Sequence, residues 1–191
     1  MLVCDSFLQD PQLLRELRNV KIWKNVSDYN WWDGWWSEPP NNPLELVIQK
    51  IWQGQIDETG VAGFEYWFND LSAGKTLEWH RDCDEALRGR EGRHVTPHVG
   101  HIYYVIVKDI VGGYLEVSDK TSLIEAKNSE LERLKPVENR LVIFNPSFWH
   151  RVTPLTQGHR LAFLANLWVK KPNTFALGNH VDGKFQPVTL K

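Results

Sequence analysis

One stretch near the C-terminal end, residues 140–168, restricts the possible folds of this chain more than any other. It carries His150 and, ten positions later, Arg160, among apolar runs rich in Phe, Val, Ile, Leu and Trp. Short runs of this kind, interrupted by Asn145-Pro146 and Gln157-Gly158, are typical of β-strands joined by tight turns. A guanidinium inside a sheet is costly without a counter-charge, so an anion should lie beside Arg160.

The connection between His150 and Arg160 predicts a hairpin. A short segment at Arg151–Thr153 and a longer apolar run at Leu161–Val169 flank Thr156–His159, which we interpret as the turn. A strand, a turn and a returning strand would place the guanidinium deeper in the fold than the imidazole.

A second stretch supplies partners for His150. His80 and Asp82 are separated by one residue, and in an extended chain residues two apart point to the same face. With His150 they offer two nitrogens and one oxygen on one side of a metal ion. That set suits iron(II), because it leaves positions open for a cosubstrate and oxygen. The far carboxylate of such a cosubstrate would be the anion for Arg160.

These residues, taken in order, resemble the iron(II)- and 2-oxoglutarate-dependent oxygenases, with closest similarity to the prolyl-4-hydroxylase-like branch. Besides His80-x-Asp82, the similar segments are His101–Tyr104, Gly112–Leu115 and His150–Arg160. The resemblance covers about residues 62–170. The histidine–aspartate pair alone recurs by chance, whereas the ordered set of four segments is specific.

The resemblance implies an enzyme that binds Fe(II), 2-oxoglutarate and O2, with ascorbate as an accessory reductant. His80, Asp82 and His150 would hold the metal. Arg160 would bind the far carboxylate of 2-oxoglutarate, the phenol of Tyr104 would contact the cosubstrate, and Leu115 would line its pocket.

The implied reaction converts 2-oxoglutarate to succinate and carbon dioxide and hydroxylates an unactivated C–H bond. The expected substrate is a prolyl or other peptidyl residue, or else a small molecule. Asp82 favours hydroxylation, since halogenating relatives lack the carboxylate ligand.

Alternation along the last apolar run predicts which side chains share the face of Arg160. They are Ala162, Leu164, Asn166 and Trp168, with Asn166 lining the cosubstrate cavity, whereas Leu161, Phe163 and Leu167 would face the helices. On a neighbouring strand, Ile102 and Ile106 would share the face of Tyr104.

The remaining chain predicts a mainly β fold. Asp10-Pro11 and Asn42-Pro43 have the pattern of helix starts, because Asn or Asp caps a helix and Pro suits its first turn. Strands are predicted at Val20–Trp23, Phe64–Leu71, Ile102–Lys108, Tyr114–Val117, Leu141–Phe144 and Leu161–Val169. We therefore expect a double-stranded β-helix, a cupin-like jelly-roll, with the N-terminal helices packed on one outer face.

At 191 residues, the chain is expected to form a single oxygenase domain. Residues 1–61 would give helical support and a Trp-rich segment, 62–170 the jelly-roll core, and 171–191 a C-terminal tail. Within the Trp-rich segment, Trp31–Trp36 could form a substrate lid, but we favour packing against the sheet. We expect Arg88–Arg93 to be a solvated loop over the mouth of the site.

Charge and composition bear on partners and location. A net charge of −2 gives no general attraction to nucleic acid or to an anionic membrane. The sequence shows no signal peptide and no run of transmembrane length, and its two cysteines make no disulfide framework. These features favour the cytoplasm, and they leave the oligomeric state open.

Two alternatives to a peptidyl or small-molecule hydroxylase remain open. Nucleic-acid dealkylases of the same superfamily carry a second arginine six residues after the first, where this chain has Asn166. A non-enzymatic, cupin-like metal- or ligand-binding module would not need Arg160. An assay for succinate with iron and 2-oxoglutarate separates that module from the enzymes.

Overall fold

The computed structural model describes residues 1–24, 26, 29–174, 178–181 and 184–187, and its architecture is mainly β. The helices in this part of the chain are short: α1 (Pro11–Leu17), α2 (Val20–Trp23), α3 (Pro43–Trp52), α4 (Glu85–Glu91) and α5 (Leu123–Asn128). The strands are β1 (Leu2–Cys4), β2 (Asn30–Trp32), β3 (Gly63–Ser72), β4 (Leu77–His80), β5 (Val99–Gly112), β6 (Leu115–Ser118), β7 (Glu132–Leu134), β8 (Leu141–Phe144), β9 (Trp149–Val152), β10 (Leu155–Trp168), β11 (Gly178–Val181) and β12 (Lys184–Pro187).

Two antiparallel sheets form the body of the fold. The larger has six strands in the order β1-β8-β5-β10-β3-β2, and the smaller has four in the order β4-β9-β6-β7. Inward side chains from both sheets pack together, including Ile102 and Ala162 from the larger and Leu115 and Val117 from the smaller. Two sheets enclosing one interior are the predicted double-stranded β-helix.

The N-terminal helices cover the outer face of the six-stranded sheet. The Asp10 side chain accepts hydrogen bonds from the first turn of α1, and Asn42 caps α3 in the same way. Helix residues Leu17, Val47 and Ile48 are at most 1% exposed and pack against outward side chains of β3, β5 and β10. Full burial of one such side chain contributes about 1.5–3 kcal/mol, so this layer supports the sheet strongly.

Two local predictions were wrong. Val20–Trp23 is a single helical turn rather than a strand, because the Asn19 side chain caps it by accepting from the Lys21 backbone N–H. Arg88–Arg93 is exposed as predicted, but it is mostly the second half of α4 rather than a loop. Asp84 caps this helix at its start, and Gly92 ends it with a φ of 65°.

The prediction of a hairpin between His150 and Arg160 was also wrong. Residues 156–159 belong to β10, where register shifts beside Gln157 and a left-handed Gly158 accommodate the turn-like sequence. The chain instead crosses from one sheet to the other at Thr153-Pro154, between β9 and β10. His150 and Arg160 therefore approach the interior from opposite walls.

A β-bulge changes one predicted face. The partners of Leu161 and Ala162 on β5 are Ile106 and Tyr104, so one additional residue is inserted in β5 at this point. Ile102 packs in the interior with Tyr104 as predicted, but Ile106 packs on the helix side. The alternation predicted for β10 itself is confirmed, since Leu161, Phe163 and Leu167 lie in the helix-side core.

The Trp-rich segment lies mainly in the helix-side core, as we favoured. Trp32 is 1% exposed, and the rings of Trp32, Trp35 and Trp36 all lie within about 6 Å of Phe64. Residues 175–177, 182–183 and 188–191 of the predicted tail lie outside the described residues. Across the described part of the chain, no helix has both the length and the apolar character that a membrane span requires.

Candidate metal and cosubstrate site

Three side chains with metal-binding atoms meet at one end of the interior. His80 ends β4, Asp82 follows two residues later, and His150 lies on β9 directly opposite His80 in the strand register. Asp82 Oδ1 lies 3.7 Å from His80 Nε2 and 3.6 Å from His150 Nε2. The potential ligand atoms of all three lie within 4.8 Å of one another. A single ion could contact all three.

Both imidazoles are oriented by the same local hydrogen bond. Nδ1 of His80 lies 2.7 Å from the Glu78 carbonyl oxygen, and Nδ1 of His150 lies 2.9 Å from that of Phe148. Because a carbonyl only accepts, each Nδ1 carries the hydrogen and donates it. Each Nε2 then keeps its lone pair for a metal, which is the usual outer support of a metal-binding histidine.

Asp82 connects the two sheets. Its Oδ2 accepts a hydrogen bond of 3.1 Å from the amide of Asn166 on β10. Burial opposes ionisation of Asp82, but the two imidazoles and the Asn166 amide outweigh it and lower the pKa of the carboxyl group. The site therefore holds a charged oxygen donor with a fixed orientation.

The two histidines differ in their environment. Burial lowers the pKa of His80, with a further contribution from the neighbouring His150. Burial also opposes charge on His150, but Asp82 and the Phe148 carbonyl outweigh it and raise the pKa of that imidazole. The donor set as a whole, two imidazole nitrogens and one carboxylate on one side, fits iron(II) with its other coordination positions open.

A buried arginine lies on the opposite wall. Arg160 is 1% exposed, its guanidinium is centred 5.0 Å from the ring of Tyr104, and its Nη1 donates to the Gly113 carbonyl at 3.1 Å. No carboxylate of the described residues forms an ion pair with it. Burial lowers the pKa of Arg160 and raises the pKa of Tyr104. A buried cation without an acid indicates space for an anionic ligand.

Gly113, whose carbonyl accepts the hydrogen bond from Arg160, lies at a position that favours glycine. It has a φ of 68°, and a Cβ atom there would lie 3.0 Å from Leu155 Cδ1 and 3.6 Å from Arg160 Cδ. Only glycine adopts this conformation without strain, and an added Cβ would also press on the Leu155 side chain.

A cavity of about 550 Å³ joins the two walls. Most of the residues expected at the site from the sequence line it, namely His80, Asp82, Leu115, His150, Arg160 and Asn166. Tyr104 lies beneath Arg160, fully buried. The cavity volume is adequate for a small diacid together with part of a substrate.

Unpartnered polar atoms concentrate in this cavity. Among the described residues, the buried side-chain nitrogens and oxygens that lack a hydrogen bond are Trp32 Nε1, Asn69 Oδ1, Arg81 Nε, Tyr104 Oη and Arg160 Nε. Except for Trp32, all line the cavity or lie directly beneath it. Buried polar groups are normally satisfied, so this cluster indicates a ligand that completes it.

The inward face of β3 adds residues that the sequence reasoning missed. Glu65, Trp67 and Asn69 line the cavity. The Tyr66 hydroxyl instead donates to Glu45 of α3, so it does not contact the cavity. Alternation in residues 64–71 separates these two sets of side chains, and it was the signal available in the sequence.

Glu65 is a buried acid close to the proposed metal ligands. It accepts a hydrogen bond of 2.9 Å from Trp168 Nε1, and burial raises its pKa to about 8. A raised pKa favours the neutral form of Glu65, which avoids a second buried negative charge beside Asp82.

Comparison with known proteins assigns the chain to a family. The model of the 2OG-Fe(II) oxygenase superfamily matches residues 66–170. The chain belongs to this superfamily. It is accordingly an oxygenase, and Fe(II), 2-oxoglutarate and O2 are the reagents of its family.

Individual relatives are distant. A PKHD-type hydroxylase of Pseudomonas fluorescens is 24% identical over 164 residues, which cover 79% of this chain and 68% of the relative. A Pseudomonas putida prolyl-4-hydroxylase superposes with a TM-score of 0.56 at 19% identity, covering 89% of this chain and 88% of the other. A viral collagen prolyl hydroxylase from Paramecium bursaria Chlorella virus 1, solved with 2-oxoglutarate, gives a TM-score of 0.53 at 12% identity, covering 89% and 96%. The two structural similarities establish the shared fold.

Proposed function

We propose that this oxygenase hydroxylates an unactivated C–H bond of a prolyl or other peptidyl residue, using Fe(II) and 2-oxoglutarate. One observation carries the proposal: a single cavity joins the set of His80, Asp82 and His150 to the buried, uncompensated Arg160. Three metal-binding side chains alone would fit many proteins, and a buried arginine alone would fit a structural ion pair. Together they fit a metal-chelating diacid held at its far end.

The residues around the metal position would have the following roles. His80, Asp82 and His150 hold the metal, and Asn166 fixes the orientation of Asp82. Bound iron supplies the activation of oxygen that is coupled to oxidative decarboxylation of 2-oxoglutarate.

Arg160 would bind the far carboxylate of 2-oxoglutarate. Its Nε and the Tyr104 hydroxyl are both unpartnered and can donate to the same group. Leu115, 1% exposed, would form an apolar wall that keeps water from the cosubstrate.

The substrate class rests on similarity and on the donor set. The relatives named prolyl-4-hydroxylase and collagen prolyl hydroxylase share this fold, which supports a proline-containing substrate. A carboxylate ligand at Asp82 favours hydroxylation over halogenation, as the family resemblance implies. A small molecule with a similar C–H bond remains the second candidate, because the cavity volume admits either.

The proposal is tested by measuring succinate release. The purified chain, supplied with Fe(II), 2-oxoglutarate, O2 and ascorbate, should release succinate, and a proline-containing peptide that is a substrate should raise the rate and gain one oxygen atom by mass spectrometry. Omitting ascorbate tests whether it acts as an accessory reductant. Absence of metal-dependent succinate release, with or without peptide, would overturn the assignment of the cavity.

We further propose that residues 1–191 act as one oxygenase domain, with 62–170 as the catalytic core. A reducing, cytoplasmic location is consistent with the free thiols of Cys4 and Cys83.

A further inference from the structure

The tripeptide Trp-His-Arg occurs twice, at 79–81 and at 149–151. The two copies meet where β4, which ends at His80, pairs with β9, and His80 lies opposite His150. Each tryptophan ring contacts the arginine of the other copy: Arg151 lies 4.9 Å from the Trp79 ring centroid, and Arg81 lies 4.6 Å from that of Trp149. The two proposed metal histidines are thus flanked by two crossed cation–π pairs.

The two arginines differ in their acid partners. Arg151 Nε donates to Glu116 Oε2 at 2.6 Å, and Glu116 is a buried carboxylate that also accepts from Arg133. Arg81 has no such partner: no described carboxylate forms an ion pair with it, and its buried Nε has no hydrogen bond. The charge of Arg151 is therefore compensated by an acid, whereas the charge of its counterpart Arg81 is not.

The uncompensated arginine belongs to the cavity. Arg81 lines it between His80 and Asp82. The other arginines of the lining, within the described residues, have assigned partners. Arg88 forms an ion pair of 2.5 Å with Glu85, and Arg160 faces the proposed cosubstrate position.

We propose that Arg81 is a subsite for a carboxylate of the primary substrate. The inference rests on the proposed function and narrows it to substrates that carry a carboxylate near the hydroxylated carbon. Stacking on Trp149 restricts the guanidinium, and the Arg81 side chain is only partly buried, so it can bind a carboxylate as Arg151 binds Glu116.

A singly charged carboxylate fits this position better than a phosphate dianion. The cavity already contains the Asp82 carboxylate, and the proposed cosubstrate brings two more negative charges. Bound Fe(II) and Arg160 would balance these three negative charges, so a monoanion neutralises Arg81, whereas a phosphate dianion leaves one negative charge in excess. The carboxylate could belong to a free amino acid or to the C-terminus of a peptide, and the two sources are distinguishable by experiment.

The test compares acids with their amides. Each of the twenty free amino acids is paired with its amide, and proline-containing dipeptides and tripeptides with a free C-terminus are paired with their carboxamides. Binding to the enzyme loaded with Mn(II) and 2-oxoglutarate is measured by calorimetry. Stimulation of succinate release by the iron enzyme gives the substrate KM.

We expect binding and stimulation to be confined to the carboxylate member of at least one pair. Arg81→Gln should raise the KM or Kd of that compound at least roughly tenfold, and Arg81→Lys should raise it less, because the charge is kept while the planar fork is lost. Arg88→Gln is the matched control, since it removes a lining arginine that already has an acid, and it should change neither value.

Two further readouts separate this proposal from the proposed function. Arg81→Gln should raise the KM or Kd of the carboxylate compound far more than it changes metal content or succinate release without primary substrate, because Arg81 is assigned to neither metal nor cosubstrate. Loss of metal in that variant would make Arg81 a support of the histidines and overturn the subsite. Equal responses to acid and amide throughout the panel, including no response to either, would also overturn it, whereas absent succinate release in the wild type would contradict the proposed function itself.

Discussion

The two sheets around the cavity are supported on their outer faces by different interactions. The six-stranded sheet is covered by helices, and the contacts are apolar, as at Leu17 and Ile48. The outer face of the four-stranded sheet instead has ionic contacts, with the Glu116 carboxylate held between Arg133 and Arg151. The interior reverses this pattern, since the apolar-backed sheet contributes the buried Arg160 and the ionic sheet contributes the two histidines.

This contrast shows how one cavity can contain both the buried cation of Arg160 and a group of metal-binding side chains. Hydrophobic burial is strong but not directional, so it can offset the cost of burying Arg160 without fixing the geometry of a ligand. Charge-assisted hydrogen bonds are directional, and on the four-stranded sheet they fix the register of the strand that carries His150. The following variants test this division, from the largest expected effect to the smallest.

The largest effect should come from the four-stranded sheet. His80→Ala, His150→Ala and Asp82→Ala should each reduce 2-oxoglutarate turnover to background, because the ligands act as a unit. Metal content by elemental analysis should fall in parallel. A variant of this set that kept both metal and turnover would remove that residue from the ligand set.

On the six-stranded sheet, Arg160→Ala should act on the cosubstrate alone. It should raise the 2-oxoglutarate requirement tens-fold or more, since truncating one partner of a buried charge pair costs about 2–5 kcal/mol. Arg160→Lys should raise the 2-oxoglutarate requirement less, because it keeps the positive charge. The check is a 2-oxoglutarate titration of succinate release beside metal analysis. Loss of metal with an unchanged titration would make Arg160 a support for the ligand set.

Glu116→Gln should weaken the outer face of the four-stranded sheet. It removes charge-assisted bonds to Arg133 and Arg151, so we expect a loss of about 1–3 kcal/mol in the free energy of unfolding at neutral pH. Burial would raise the pKa of Glu116, but the two guanidinium groups outweigh it and lower the pKa.

The sign of that shift predicts a dependence on pH. A carboxyl group with a lowered pKa stabilises the fold above its unfolded pKa, and this contribution is lost as the pH falls through the folded pKa. The gap between wild type and Glu116→Gln should therefore close in acid. Ile48→Ala, on the apolar side, should lower the free energy of unfolding by about 2–5 kcal/mol, and its difference from wild type should not shrink in acid. Urea unfolding at several pH values measures both, and parallel pH profiles would contradict the ionic assignment.

The smallest effect should come from the one hydrogen bond that links Asp82 to the opposite sheet. Asn166→Ala removes the 3.1 Å contact to Asp82 Oδ2 and should weaken metal affinity roughly tenfold, the lower range for an outer support of a ligand. Asn166→Asp is the contrasting change, because it places a like charge beside Asp82. Unchanged metal affinity in both variants would show that the two sheets hold the site independently.

Local patterns predicted much of the fold and of the site. Alternation in β10 identified Arg160 and Asn166 on one face and Phe163 on the other, because a buried sheet with helices on one side separates its two faces consistently. Asp10 and Asn42 marked helix starts for a reason contained in the local sequence, since their side chains cap the first backbone N–H groups.

The errors came from features that only the three-dimensional fold specifies. Residues 156–159 have the composition of a turn, yet pairing with β5 and β3 keeps them within β10. The bulge in β5 that moves Ile106 has no local signature. Glu65 and Asn69 belong to no motif and were therefore missed, although alternation along β3 would have placed both in the cavity.

A crystal structure of the protein with Mn(II) and a 2-oxoglutarate analogue tests the central claim most directly, namely that one cavity holds the metal and the cosubstrate from opposite walls. Anomalous scattering should locate one ion about 2.0–2.3 Å from Nε2 of His80, Nε2 of His150 and a carboxylate oxygen of Asp82. The far carboxylate of the analogue should lie on the guanidinium of Arg160. An ion elsewhere, or an analogue whose far carboxylate lies away from Arg160, would contradict the account.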